Sequence, residues 1–142
     1  MREILFKGKR IDNGEWVEGC YAECNGKTFI GIDISIGIDD IFEVFCTSVI
    51  RWLEVDPETL CQFTGETDKN GKRIWESDVV WLVYDGKEHI YQIVWDNSEL
   101  DFKATNGEEN YGSNFEYLLC CDEIEVIGNI FDNPELLQEE HK

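Results

Sequence analysis

With 142 residues, 42% hydrophobic and 13% aromatic, the chain can fold as one domain or two small lobes, and it is too apolar to be a disordered acidic tail. Its 31 Asp+Glu against 12 Lys+Arg leave a net charge of −19. That charge disfavours direct binding to a phosphate backbone and to an anionic membrane surface.

The N-terminal stretch Met1–Arg10 lacks an apolar run of signal-peptide length, and no window reaches the roughly twenty apolar residues of a spanning helix, so a cytoplasmic protein is expected. Asp12-Asn13-Gly14 is a turn signal leading into a strand over Glu15–Glu23. Ile30, Ile32, Ile34, Ile36 and Ile38 alternate with small or acidic residues, the period of a strand with one buried face. Phe42–Val49 reads as a strand, with a short helix as the alternative. Charge is uneven, −4 over residues 1–54 and −15 over residues 55–142, which sets the expected lobe boundary near residue 55.

Beyond that boundary, Gln62–Thr64 and Arg73–Trp75 flank Asp68-Lys69-Asn70-Gly71, where Asn-Gly supplies the positive φ of a tight hairpin. Val79–Tyr84 and His89–Trp95 flank Asp85-Gly86-Lys87-Glu88 in the same way. Leu100–Thr105 runs into a third turn signal at Asn106-Gly107, followed by short apolar runs at Tyr117–Cys121 and Glu125–Ile130. Asn133-Pro134-Glu135 predicts an N-cap, a proline in the first turn and a short terminal helix. Short strands joined by hairpin-length turns make a mainly β chain with a small antiparallel barrel the expectation.

Chemistry-bearing patterns are sparse. The cysteines (Cys20, Cys24, Cys46, Cys61, Cys120 and Cys121) include no Cys-x-x-Cys knuckle and read as buried free thiols rather than a zinc site, and no cofactor is expected. Asp68-x-Asn70-Gly71 lacks the later ligands of a calcium loop and reads as a turn. No nucleophile elbow, zinc-helix, P-loop or dinucleotide motif occurs, and His89 and His141 have no catalytic pattern around them. Glu76 and Asp78 form the one carboxylate pair worth weighing for acid–base work, with a strand start as the simpler reading. Two basic clusters, Lys7–Arg10 and Lys72-Arg73, offer a small anion site beside Trp16 and Trp75 if they converge, or ordinary ion pairing if they do not.

Three segments carry a family resemblance: Phe6–Gly19, Val55–Gly65 continuing through Asp68–Val79, and Glu125–Leu137. Their order and spacing resemble the YopX family of small phage and prophage proteins over the whole chain. The resemblance implies a phage or prophage origin, residence in the host cytoplasm and an SH3-like barrel in the C-terminal lobe. It brings no known activity and no catalytic residues. It assigns Gln62, Thr64 and Gly65 to a turn into the barrel, Asn70-Gly71 to a hairpin and Gly128 to a close approach. This chain departs from the family at Cys61, Phe63 and Trp75, where Gly, Tyr and Tyr are common.

The combined reading is an N-terminal β lobe over 1–54 and an SH3-like barrel with a terminal helix over 55–142. The function expected is a non-enzymatic accessory role through contacts with a host or phage protein. Trp75, Trp81, Tyr84, Tyr91 and Trp95 are the candidate partner contacts, with core packing as the competing reading. The alternatives are an acidic DNA mimic using the acids from Asp85 to Glu125 and a small metal-dependent hydrolase. Exposed hairpin edges would also permit a homo-oligomer.

Overall fold

The computed structural model describes residues 4–33, 50–97, 100–105, 115–117 and 121–140. Among these residues the chain is mainly β, with eleven strands and one short α-helix. It divides into two compact units at Gln62/Phe63.

The first unit contains β1 (Phe6–Lys9), β2 (Trp16–Cys24), β3 (Lys27–Asp33) and β4 (Ile50–Val55), antiparallel in the order β4-β3-β2-β1. The start of β5 (Cys61–Thr67) takes the other edge of β1, pairing Cys61 with Lys7 and Gln62 with Phe6. Gly14 closes the expected first turn at φ 73° and donates to the Arg10 carbonyl at 2.9 Å. A second tight turn, Asn25-Gly26, joins β2 to β3 with φ 53° and 75°, the doubly left-handed geometry that matches strand twist.

The strand register decides what this unit buries. Ile30 pairs with Tyr21 and Leu53, and Thr28 with Val55, so this side of β3 and β4 forms the core, with Ile30 and Val55 fully inaccessible. The isoleucine alternation holds at Ile30 and Ile32, while Ile34, Ile36, Ile38 and the Phe42–Val49 reading lie outside the described residues. Cys20 and Cys24 fall on the opposite side of β2 and are exposed, correcting their reading as buried thiols; Cys61 is buried.

The second unit holds the rest of β5 with β6 (Arg73–Trp75), β7 (Asp78–Tyr84), β8 (Lys87–Asp96), β9 (Asp101–Thr105), β10 (Phe115–Tyr117), β11 (Glu123–Asn129) and α1 (Glu135–Glu140). β7 to β11 form an antiparallel sheet in the order β10-β9-β8-β7-β11, and among the described residues no ladder joins β10 to β11. Asp85-Gly86 makes the expected β7–β8 hairpin, with φ 51° and 75°. Gly65, expected in an entry turn, sits at φ 93° inside β5, where the pairing with β6 shifts between Phe63 and Thr67.

Ile74, Val80, Leu82, Tyr91, Ile93, Phe102, Ala104 and Val126 form the core of this unit, and α1 packs against β8. The Asn133 carboxamide does not serve as the expected cap. Its oxygen turns back to accept from the Asn129 amide at 3.3 Å, while Leu136 donates to the Asn133 backbone carbonyl at 3.2 Å. No helix among the described residues is long and apolar enough to cross a membrane.

Candidate functional site

The outward face of the first unit presents an apolar surface built around a glycine. In the register Cys20, Gly31 and Trp52 lie in one cross-strand row, with Asp33 and Ile50 in the next row along β3 and β4. A Cβ placed on Gly31 would lie 2.8 Å from Ile50 Cγ2 and 2.9 Å from both Cys20 Sγ and Trp52 Cζ3. The three side chains therefore close over the bare backbone at Gly31, and the Cys20 thiol reaches the Gly31 carbonyl at 3.6 Å. Trp52 remains 47% exposed and Ile50 41%. At one end of the same face Trp16 carries two ammonium groups near its ring, Lys7 Nζ at 4.5 Å and Lys9 Nζ at 5.4 Å from the centroid.

Sequence reasoning did not select Trp52, although a signal exists. In Arg51-Trp52-Leu53-Glu54-Val55 the tryptophan shares its parity with Glu54, against Leu53 and Val55, and so faces away from the core in a one-sided strand.

The five aromatic candidates of the second unit separate. Trp75 and Tyr91 are core residues, 4% and 3% exposed, with Trp75 tilted against Phe63 at 5.5 Å and Tyr91 stacked on His89 at 4.9 Å. Trp81 is half-buried on the outward face of β7, its Nε1 donating to Glu88 Oε1 at 3.1 Å. Tyr84 lines a shallow open depression with Asp85, Gly86 and Asp122 at the hairpin end of β7. Trp95 lies near the far end of β8, edge-on to Phe102 at 4.9 Å, with Nε1 donating to Asn97 Oδ1 at 2.6 Å. Trp81 pairs with Ile90 whereas Val80 pairs with Tyr91, so Trp81 is on the opposite face from Tyr91 and Trp95. The register does not gather the accessible three into one groove.

Two of the carboxylates singled out from the sequence, Asp78 and Asp68, serve the backbone. Asp78, 3% exposed, accepts from the Trp75 amide at 2.8 Å. Asp68, 6% exposed, accepts from Asn70 and Lys72 on one oxygen, both at 2.9 Å, and from Val126 on the other at 3.0 Å. Burial pushes its pKa up, but these three amides and the Lys72 charge outweigh burial and hold it below the ordinary aspartate value. Arg10 is engaged by Asp12 through both Nε and Nη2, at 2.9 and 2.6 Å, and the Arg73 guanidinium lies 5.5 Å from the centre of the Phe63 ring. Among the described residues no three His, Cys, Asp or Glu side chains gather as a metal-binding group.

The architecture can now be set beside known proteins. The family model described as YopX protein matches residues 6–138. The chain belongs to the YopX family. Its three motif segments mark turns, a bulge and the C-terminal fold-back: Gly14, Gly65 and Gly71 each take positive φ, and Gly128 faces Asn133 and Leu136. The crystal structure of protein EF1440 from Enterococcus faecalis is similar, with 22% identity and a TM-score of 0.53, over 96% of this chain and 99% of that one. At that identity the likeness is one of fold. No curated protein matches this YopX-family chain.

Proposed function

We propose that this YopX-family protein is a non-enzymatic phage or prophage accessory protein, working in the host cytoplasm by binding another protein through the Trp52 face of its first unit. The observation that carries this reading is the 47% exposure of Trp52 on a sheet face that also presents Ile50 and Cys20. A large aromatic held over a glycine offers a rigid apolar anchor of the kind that concentrates binding energy. The commitment of Asp68 and Asp78 to backbone amides argues against a carboxylate-based hydrolase built on those residues.

The second unit is read as an SH3-like barrel. Its strand order β10-β9-β8-β7-β11 returns the last strand beside the first of the meander, the arrangement from which a five-stranded barrel closes.

The test is capture of partners from a bacterial lysate by the tagged protein and by Trp52→Ser, washed at low and high salt. A partner that survives high salt and is absent from the Trp52→Ser capture supports an apolar contact on this face. Capture unaffected by the substitution, or nothing above a charge-matched control, overturns it.

A second reading, an acidic mimic of DNA, is favoured by the outward row Glu123, Val83 and Glu88 with Glu125 beside it. It predicts a basic partner released at high salt.

A further inference from the structure

The outward face of the second unit holds a seat for a cation. Trp81 on β7 stands between Glu125 of β11 and Ile90 of β8, and Glu123, Val83 and Glu88 form the next row on that face. The hydrogen bond from Trp81 Nε1 to Glu88 at 3.1 Å fixes the indole plane. Lys69 Nζ lies 4.9 Å from the ring centroid and 3.3 Å from Glu125 Oε1, so one ammonium meets a π face and a carboxylate together. Its backbone is tied to the same strand, with the Lys69 amide donating to the Ile124 carbonyl at 3.0 Å. The Lys69 and Glu125 side chains are 40% and 37% exposed, so water screens the pair and a competing cation can replace it.

We propose that Trp81, Glu125 and Glu88 form a recognition site for an arginine side chain of a protein partner, with Lys69 as the intramolecular occupant that the arginine displaces. A guanidinium suits this seat better than an ammonium. Its plane stacks on indole while its fork of donors engages carboxylates, whereas Lys69 presents a single point charge to Glu125. The net charge of −19 draws a basic partner to the surface, and the ring with its flanking carboxylates supplies the local geometry. The site is on a different unit from the Trp52 face and does not depend on it.

The probe is a capped Gly-Arg-Gly peptide titrated at low salt into labelled protein, reading the indole N–H signals of the 5 tryptophans by NMR. The expected result is a saturable shift at Trp81 with little change at Trp16, weaker with Gly-Lys-Gly. Removing the occupant in Lys69→Ala should lower the dissociation constant roughly threefold to tenfold, the effect of deleting a weak competitor. Trp81→Leu keeps the net charge, so it should abolish the saturable shift at the Ile90 and Glu125 amides while leaving general attraction intact. Equal shifts at every tryptophan, or an affinity unchanged by Lys69→Ala, would overturn the proposal. Thermal unfolding of each variant confirms that the fold persists. Partner capture lost in Trp52→Ser but normal in Trp81→Leu would leave the Trp52 reading standing while this one fails.

Discussion

Asp68 and Val126 lie 58 positions apart, and a single hydrogen bond of 3.0 Å from the Val126 amide to Asp68 Oδ2 joins them. The pairing of β11 with β7 shifts register between Val126 and Gly128, and the carboxylate supplies an acceptor beside that irregularity. Its other oxygen closes the β5–β6 loop through the amides of Asn70 and Lys72. One buried side chain therefore shapes a hairpin loop and pins a distant strand to it. Asp68→Asn cannot replace it, because a carboxamide has one acceptor oxygen and would turn an NH2 donor toward one set of amides. The expected cost is about 2–3 kcal/mol, in line with losing charge-assisted bonds and stranding a buried donor. Urea unfolding of the two proteins measures it, and a difference within about 0.5 kcal/mol would remove Asp68 from this role.

The same carboxylate makes stability depend on pH. The folded state holds Asp68 below its ordinary value, so it binds this proton less readily than the unfolded chain does. Its contribution is fully present above the unfolded value near 3.8 and is lost as pH falls through the lower folded value. The gap in stability between wild type and Asp68→Asn should therefore be constant from pH 7 to about 5 and narrow below about pH 4. Urea midpoints at pH 7, 5, 4 and 3 test this; a gap that stays constant into acid contradicts it. Asp12 is also lowered, by its hydrogen bond to Arg10, but at 64% side-chain exposure its ion pair is screened and adds little to this acid limb.

Gly128 takes its importance from the C-terminal fold-back. A Cβ there would lie 2.5 Å from Asn133 Oδ1, 2.9 Å from its Cγ and 3.0 Å from Leu136 Cδ1. Asn133 is not free to swing away, since its oxygen holds the Asn129 amide and its backbone carbonyl holds Leu136. Gly128→Ala should cost about 1–3 kcal/mol, the usual range for forcing a methyl into occupied space. Asn133→Ala in the same chain removes the closest obstruction and leaves only Leu136 Cδ1, so the double variant should lose less than the sum of the singles. Additive losses in thermal or urea unfolding would place the cost of Gly128→Ala elsewhere.

These relationships were legible to different degrees in the amino-acid sequence. Turns with a glycine after Asn or Asp announce themselves because positive φ is a local demand, as at Gly14, Gly71 and Gly86. Asn25-Gly26 carries the same signal and joins β2 to β3 in the same left-handed geometry. Asp68 read as a turn residue, whereas its second role depends on a strand 58 positions away that no local pattern reveals. The aromatic candidates show the limit most clearly. Trp75 and Trp81 both sit in apolar strands, yet one is core and the other half-exposed, because register with neighbouring strands decides the face. Gly128 was expected to admit a neighbouring backbone, and the close neighbours are side chains instead.

Trp52 and Leu53 are adjacent on β4 and should behave oppositely when shortened. Leu53 is 8% exposed and pairs with Ile30 on the core side, so Leu53→Ala should cost about 2–5 kcal/mol through lost burial and a cavity. Trp52 is 47% exposed over Gly31, and Trp52→Ser removes its packing over that glycine beside Ile50 and Cys20. Its expected cost in urea unfolding is about 1–2 kcal/mol, below that of Leu53→Ala, because close to half of the residue's surface already meets water. Gly31→Ala provides an independent handle: the added methyl would press on the three side chains above it and displace the indole without removing it. If the Trp52 face binds a partner, Trp52→Ser and Gly31→Ala should both weaken capture while each remains folded. Should Trp52→Ser instead unfold the protein as Leu53→Ala does, the tryptophan is holding the sheet together and the apolar face is structural.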